Sequence, residues 1–151
     1  ITLGWCGDSR AYWLPDVGDA VQLMLDHSLG TELMQAGMSR AEAEADPTFH
    51  TITSWLGADS VDATPDIASQ QVSEPGWLLL CSDGLYDLVG DEVLLATARD
   101  VHPQVACDRL VTLAREAGGH DNISVAILAM TAASETTPTG AKETRAVEIP
   151  Q

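Results

Sequence analysis

The sequence predicts an α+β chain, in which antiparallel strands form the core and helices stand apart from them, over residues 1–130. Three observations carry this. Residues 1–25 break into short apolar runs, ITLGWC, AYWL and Val21–Leu25, separated by polar turns, the pattern of an antiparallel meander. The runs 77–81 (WLLLC) and 123–130 (ISVAILAM) contain almost nothing that must face water, as in strands covered on both faces. Two segments of helical periodicity lie together between those two runs instead of alternating with strands.

The elements follow in order. ITLGWC and AYWL flank the tight polar break Gly7-Asp8-Ser9-Arg10, and Pro15-Asp16-Val17-Gly18-Asp19 is a turn that delivers the third strand. From Ser28, Leu29, Leu33 and Met34 recur at helical spacing until Gly37. Ser39 and Glu42 have the spacing of a capping box, so a second short helix starts there and stops before Pro47. Both helices are acidic and weakly apolar, an excursion (28–57) from the core. TFHTITSWL at 48–56 is rich in β-branched and aromatic residues, 58–66 is loop, and Ile67–Val72 returns as an edge strand before Pro75-Gly76. Asp91 is placed as the N-cap of a helix carrying Val93, Leu94, Leu95, Ala96 and Ala98. Pro103 opens a longer one with Val105, Ala106, Leu110, Leu113, Ala114 and Ala117 on one face, ended by Gly118-Gly119. Residues 131–151 offer almost nothing to bury and read as a disordered tail or linker.

Composition narrows the function. Of 151 residues, 23 are acidic and 7 basic, a net charge of −16. Such a surface repels phosphate backbones and argues against a nucleic-acid partner. It suits divalent cations, which as hard ions prefer oxygen ligands. No run reaches the roughly 18 apolar residues of a membrane span. Cys6, Cys81 and Cys107 are odd in number and form no C-x-x-C pair, which fits reduced packing thiols in the cytoplasm. The first residue, Ile1, already stands in an apolar segment, as expected of a chain whose N-terminal portion lies elsewhere.

The chemistry centres on WLLLCSDGLYD, residues 77–87. A buried strand delivers Asp83 at its tip, and Gly84 then lets backbone approach closely. If the chain turns helically there, Asp87 at i+4 comes near Asp83, and two neighbouring carboxylates repel unless a cation lies between them. The break at 118–122, GGHDN, again sets a carboxylate, Asp121, at a strand's edge, with Asn122 beside it. Asp8 has two readings of equal weight, an ion pair with Arg10 or a third carboxylate of the same site. Ser9 has no base near it in sequence and reads as a turn residue. His27, His50, His102 and His120 lack metal-ligand spacing.

Three breaks in this order, G-D-S-R at 7–10, S-D-G-L-Y-D at 82–87 and G-G-H-D-N at 118–122, with Asp26-His27-Ser28 after the third strand, closely resemble the C-terminal half of the metal-dependent serine/threonine protein phosphatases of the 2C type. The resemblance covers residues 1 to about 130. It implies a β-sandwich of antiparallel sheets flanked by helices, here an incomplete domain, with 28–57 as the family's flap. It also implies two Mn2+ or Mg2+ ions per complete site, and a third in a weaker one. On this resemblance Asp83 and Asp121 ligate metal, Asp8, Asp87, Gly84 and Asn122 stand beside it, and metal-activated water hydrolyses phosphoserine and phosphothreonine of protein substrates, the products of a partner kinase.

Departures matter as well. The family's phosphate-binding Arg and metal-bridging Asp-Gly pair are absent from these 151 residues, and Asp16-Val17-Gly18 is no substitute. Ser54 stands where an Arg is common, and Pro75-Gly76 leads into the central strand by a shortened entry. The chain alone is therefore expected to be inactive. The alternative is a non-catalytic, phosphatase-like binding or regulatory module. A calcium-binding loop is disfavoured, because no D-x-D-x-D-G segment with a Glu at its twelfth position occurs.

Overall fold

The computed structural model describes residues 1–60, 63–99 and 101–130; the tail expected at 131–151 and part of the expected 58–66 loop lie outside them. The elements are β1 (Thr2–Trp5), β2 (Arg10–Pro15), β3 (Val21–Gln22), α1 (Leu29–Gln35), α2 (Arg40–Glu44), β4 (Asp66–Ser69), β5 (Gly76–Cys81), α3 (Asp83–Tyr86), α4 (Asp91–Ala98), α5 (Pro103–Glu116) and β6 (Val125–Met130). All strand pairs are antiparallel, in a four-stranded sheet β3-β2-β5-β6 and a two-stranded sheet β1-β4.

Alternation along β2 and β5 explains the layers. Tyr12, Leu14, Leu79 and Cys81 turn to one face and meet Leu94, Ala98, Ala106, Leu110 and Ala114 of α4 and α5. Ala11 and Leu78 turn to the other, where Met24 and the partly buried Ile1, Leu3 and Trp5 of the β1 side cover them. The central run is thus buried on both faces because helices lie on one side and the small sheet on the other. Capping places the helices. Ser39 and Glu42 form the reciprocal capping box expected, and Ser28 caps α1. Pro103 sits in the first turn of α5, whose N-cap is His102, its ring accepting from the Gln104 N–H.

Four expectations change. The first strands do not form one meander, since β1 pairs with β4 across 60 intervening residues and only β2 and β3 are paired neighbours. The third strand, expected over Val21–Leu25, shrinks to two exposed residues, and Gln22 turns its amide onto the Met24 carbonyl at 2.8 Å. The edge strand expected over Ile67–Val72 runs instead over Asp66–Ser69, while segment 48–56 contributes a single bridge, Ser28 to Ile52. Asp91 is not an N-cap: Gly90 takes that position, and the Asp91 carboxylate instead accepts from the buried Tyr12 hydroxyl at 2.9 Å.

Candidate metal centre

Strand register gathers the three polar breaks. Arg10 lies opposite Cys81, and Cys81 opposite Val125, so the turn before β2, the segment after β5 and the loop before β6 all emerge at one end of the sheet. Asp8, Asp83 and Asp121 belong to these three segments.

After Cys81 the chain turns helically, which meets the condition for bringing Asp87 near Asp83. Asp83 opens α3, its Oδ1 accepting from the Gly84 N–H at 2.8 Å, and Asp87 closes it, its N–H bonded to the Asp83 carbonyl at 3.0 Å. Ser82 stitches this segment to the next: its hydroxyl donates to the Asn122 carbonyl and accepts from the Ser124 N–H, both at 3.0 Å. Gly84 is needed here for contact, since a Cβ would lie 2.5 Å from the Asn122 carbonyl oxygen and 3.5 Å from the Asp121 carbonyl carbon. The backbones of Asp83 and Asp121 are therefore locked side by side. Asn122 donates its N–H to Asp121 Oδ1 at 2.6 Å.

The two readings of Asp8 separate on Arg10. Its guanidinium makes a fork with Asp26, Nε to Oδ1 and Oδ2 at 3.1 and 3.0 Å and Nη2 to Oδ2 at 2.7 Å, in a pair only 17% and 11% exposed. Asp8 is left to face other carboxylates. Burial pushes its carboxyl above the usual range, and the charges of Asp83, Asp26 and Asp87 push it further. Burial likewise raises Asp87; His50, whose Nδ1 stands 3.8 Å from Asp87 Oδ2, draws it back, and Asp83 raises it again. A set of acids that raise one another, with the nearby Arg already paired to Asp26, has the donor chemistry a hard divalent cation requires. Among the described residues, no three His, Cys, Asp or Glu side chains close tightly enough to enclose an ion.

Sequence reasoning missed two participants. Tyr86 donates its hydroxyl to the Asp8 carbonyl at 2.9 Å and lies under Arg10, whose Cζ is 3.6 Å from the ring centroid. Asp26 was visible as a motif residue but not as the partner of Arg10. The signal was the hairpin register: with Tyr12 opposite Gln22, Arg10 comes within reach of Asp26. His27, far from a metal role, accepts from the Gly7 N–H at 3.1 Å and reaches Asp66 at 3.2 Å, which pins the back of the Asp8 turn.

No protein-family model matches the chain. Among characterised proteins it is 38% identical to the protein phosphatase PhpP of Streptococcus pneumoniae over 111 residues, 72% of this chain and 45% of that protein. It is 33% identical to the serine/threonine protein phosphatase PstP of Mycobacterium tuberculosis over 122 residues, 80% of this chain and 23% of that one. The chain thus spans less than half the length of either relative. Its fold matches the S. agalactiae serine/threonine phosphatase with a TM-score of 0.74 at 31% identity, over 87% of this chain and 54% of that one. It matches the PstP catalytic domain in complex with two manganese ions with a TM-score of 0.68 at 29% identity, over 85% and 52% of the two chains.

Proposed function

We infer the activity from descent and site together: the chain is a homologue of the 2C-type serine/threonine protein phosphatases, corresponding to their C-terminal part, and we propose that it supplies half of a binuclear phosphatase site. The observation that carries this is the convergence of Asp8, Asp83 and Asp121 at one end of the sheet, with Arg10 withdrawn onto Asp26.

In this reading Asp83 and Asp121 would hold a Mn2+ or Mg2+ ion. Asp8 and Asp87, raised by their neighbours, would serve a weaker adjacent position, and Asn122 would orient Asp121. When bound, the ions supply charge neutralisation on the phosphoryl group and activation of water. The chain's own contribution is placement. Ser82 and Gly84 keep the two ligand backbones in contact, and the Gly84 and Asn122 N–H groups aim a carboxylate oxygen on each. Manganese is favoured by the two-manganese complex of PstP. Substrates are phosphoserine and phosphothreonine proteins, which a protein kinase must supply. Its three free thiols suit a reducing compartment such as the cytoplasm.

The 151 residues by themselves turn over little substrate, because the phosphate-binding Arg and the bridging Asp-Gly pair of the family are not among them. Hydrolysis of a phosphothreonine peptide, followed with added Mn2+ for the full-length protein, the 151-residue chain and full-length Asp83→Asn/Asp121→Asn, tests the reading. Mn2+-dependent turnover by the first alone is the expected result. Turnover unchanged in the double variant would overturn the roles of Asp83 and Asp121, and turnover absent from the full-length protein would transfer the chain to the binding-module reading.

A further inference from the structure

The turn that carries Asp8 and the helix that carries Asp83 and Asp87 belong to segments 75 residues apart, and a side chain outside the carboxylate set joins them. Tyr86, at the end of α3, is held at both ends of its ring. Its hydroxyl donates to the Asp8 main-chain carbonyl at 2.9 Å. Its face carries the Arg10 guanidinium at 3.6 Å, and that group cannot wander, because Asp26 grips it bidentately in a mostly buried pair. Arg10 Nη1 also reaches the Tyr12 hydroxyl at 3.4 Å, and Tyr12 continues to Asp91 at 2.9 Å. A chain of polar contacts therefore runs from α4 through β2 to the ring of Tyr86, and ends on the peptide of Asp8.

This arrangement opposes a force. Asp8 and Asp83 repel each other, so the turn at 7–9 would relax away from α3 if nothing tied it there. The far side of the turn is fixed by His27, which accepts from the Gly7 N–H at 3.1 Å and donates its own N–H to the Gly7 carbonyl at 2.9 Å. Tyr86 holds the near side. A hydrogen bond to the carbonyl of Asp8 fixes the orientation of that peptide and with it the direction in which the carboxylate leaves the backbone.

We propose that Tyr86 is a positioning residue: backed by the Arg10–Asp26 pair, it sets the spacing between Asp8 and the α3 carboxylates, and thereby the affinity of this end of the sheet for a divalent cation. The assignment rests on the metal-site reading above. In this assignment Tyr86 acts through Asp8, whose carbonyl its hydroxyl holds.

The test is Mn2+ binding by the full-length protein at pH 7, with free Mn2+ read from its electron paramagnetic resonance signal, alongside peptide hydrolysis as a function of Mn2+. Tyr86→Phe keeps the ring under Arg10 and removes only the hydroxyl. It is expected to weaken Mn2+ binding about three- to tenfold, the worth of one net hydrogen bond, while turnover at saturating Mn2+ recovers to within about twofold. Arg10→Lys, which retains charge but loses the planar fork, shifts Mn2+ affinity in the same direction. Wild-type affinity in Tyr86→Phe overturns the proposal. Failure of the underlying reading looks different, since the unsubstituted protein would then bind no Mn2+ at all.

Discussion

Asp8 and Arg10 are two residues apart in one turn, yet the guanidinium turns away to Asp26 and leaves the carboxylate among Asp83 and Asp87. A side chain kept in a repulsive setting costs stability, and that cost predicts a double signature. Asp8→Asn removes a charge that its neighbours oppose, so the metal-free protein is expected to melt at a higher temperature than wild type in calorimetry with a chelator present. The same substitution weakens Mn2+ binding, by roughly 10- to 100-fold if Asp8 acts as an outer partner of the site. Loss of stability together with loss of metal would instead mark Asp8 as a structural turn residue. How far this was legible differs between residues. Asp83, Gly84 and Asp87 could be placed from spacing alone, because a strand end and one helical turn fix their geometry. The partner of Arg10 could not, since 16 residues of hairpin decide it. Tyr86 was not singled out, because the contact that defines it is to a backbone atom, which no side-chain pattern reports.

Among the elements, those announced by local chemistry were legible: the capping box at Ser39 and Glu42, Pro103 at the start of α5, Gly118 and Gly119 at its end. Elements decided by distant partners were not. β1 looked like the neighbour of β2 but finds β4, and Asp91 leaves the cap to Gly90 and accepts instead from a tyrosine 79 residues away. The contact between α3 and the loop before β6 is the element-scale feature on which the site depends. Gly84→Ala would drive a methyl to 2.5 Å from the Asn122 carbonyl oxygen, so α3 must shift or the loop must retreat. We expect a loss of about 1–3 kcal/mol in urea denaturation, with weaker Mn2+ binding because Asp83 and Asp121 part. A stability change within error would mean that the two segments adapt to each other freely.

At the scale of the whole molecule, the two faces of the main sheet are unequally covered. The helix face is sealed by α4 and α5. The other carries an apolar groove of about 470 Å3 lined by Leu3, Trp5, Met24, Leu80, Val125 and Ala126, and beside it Leu128, on the edge strand β6 of the described residues, is 48% exposed. An unpaired strand edge next to an apolar groove favours association. The 151-residue chain is therefore expected to sediment as a concentration-dependent mixture, and Leu128→Lys to shift it toward monomer. A wild-type chain that stays monomeric at all concentrations would contradict this.

The direction of β6 has its own consequence. Val125 stands beside Cys81 at the carboxylate end, and Met130 beside Gly76 at the other, about 17 Å away at the usual rise per strand residue. Whatever is attached behind Met130 thus leaves from the end of the sheet opposite the acids. A tether to a surface or to another domain at that point would stand at the far end of the sheet from Asp8, Asp83 and Asp121.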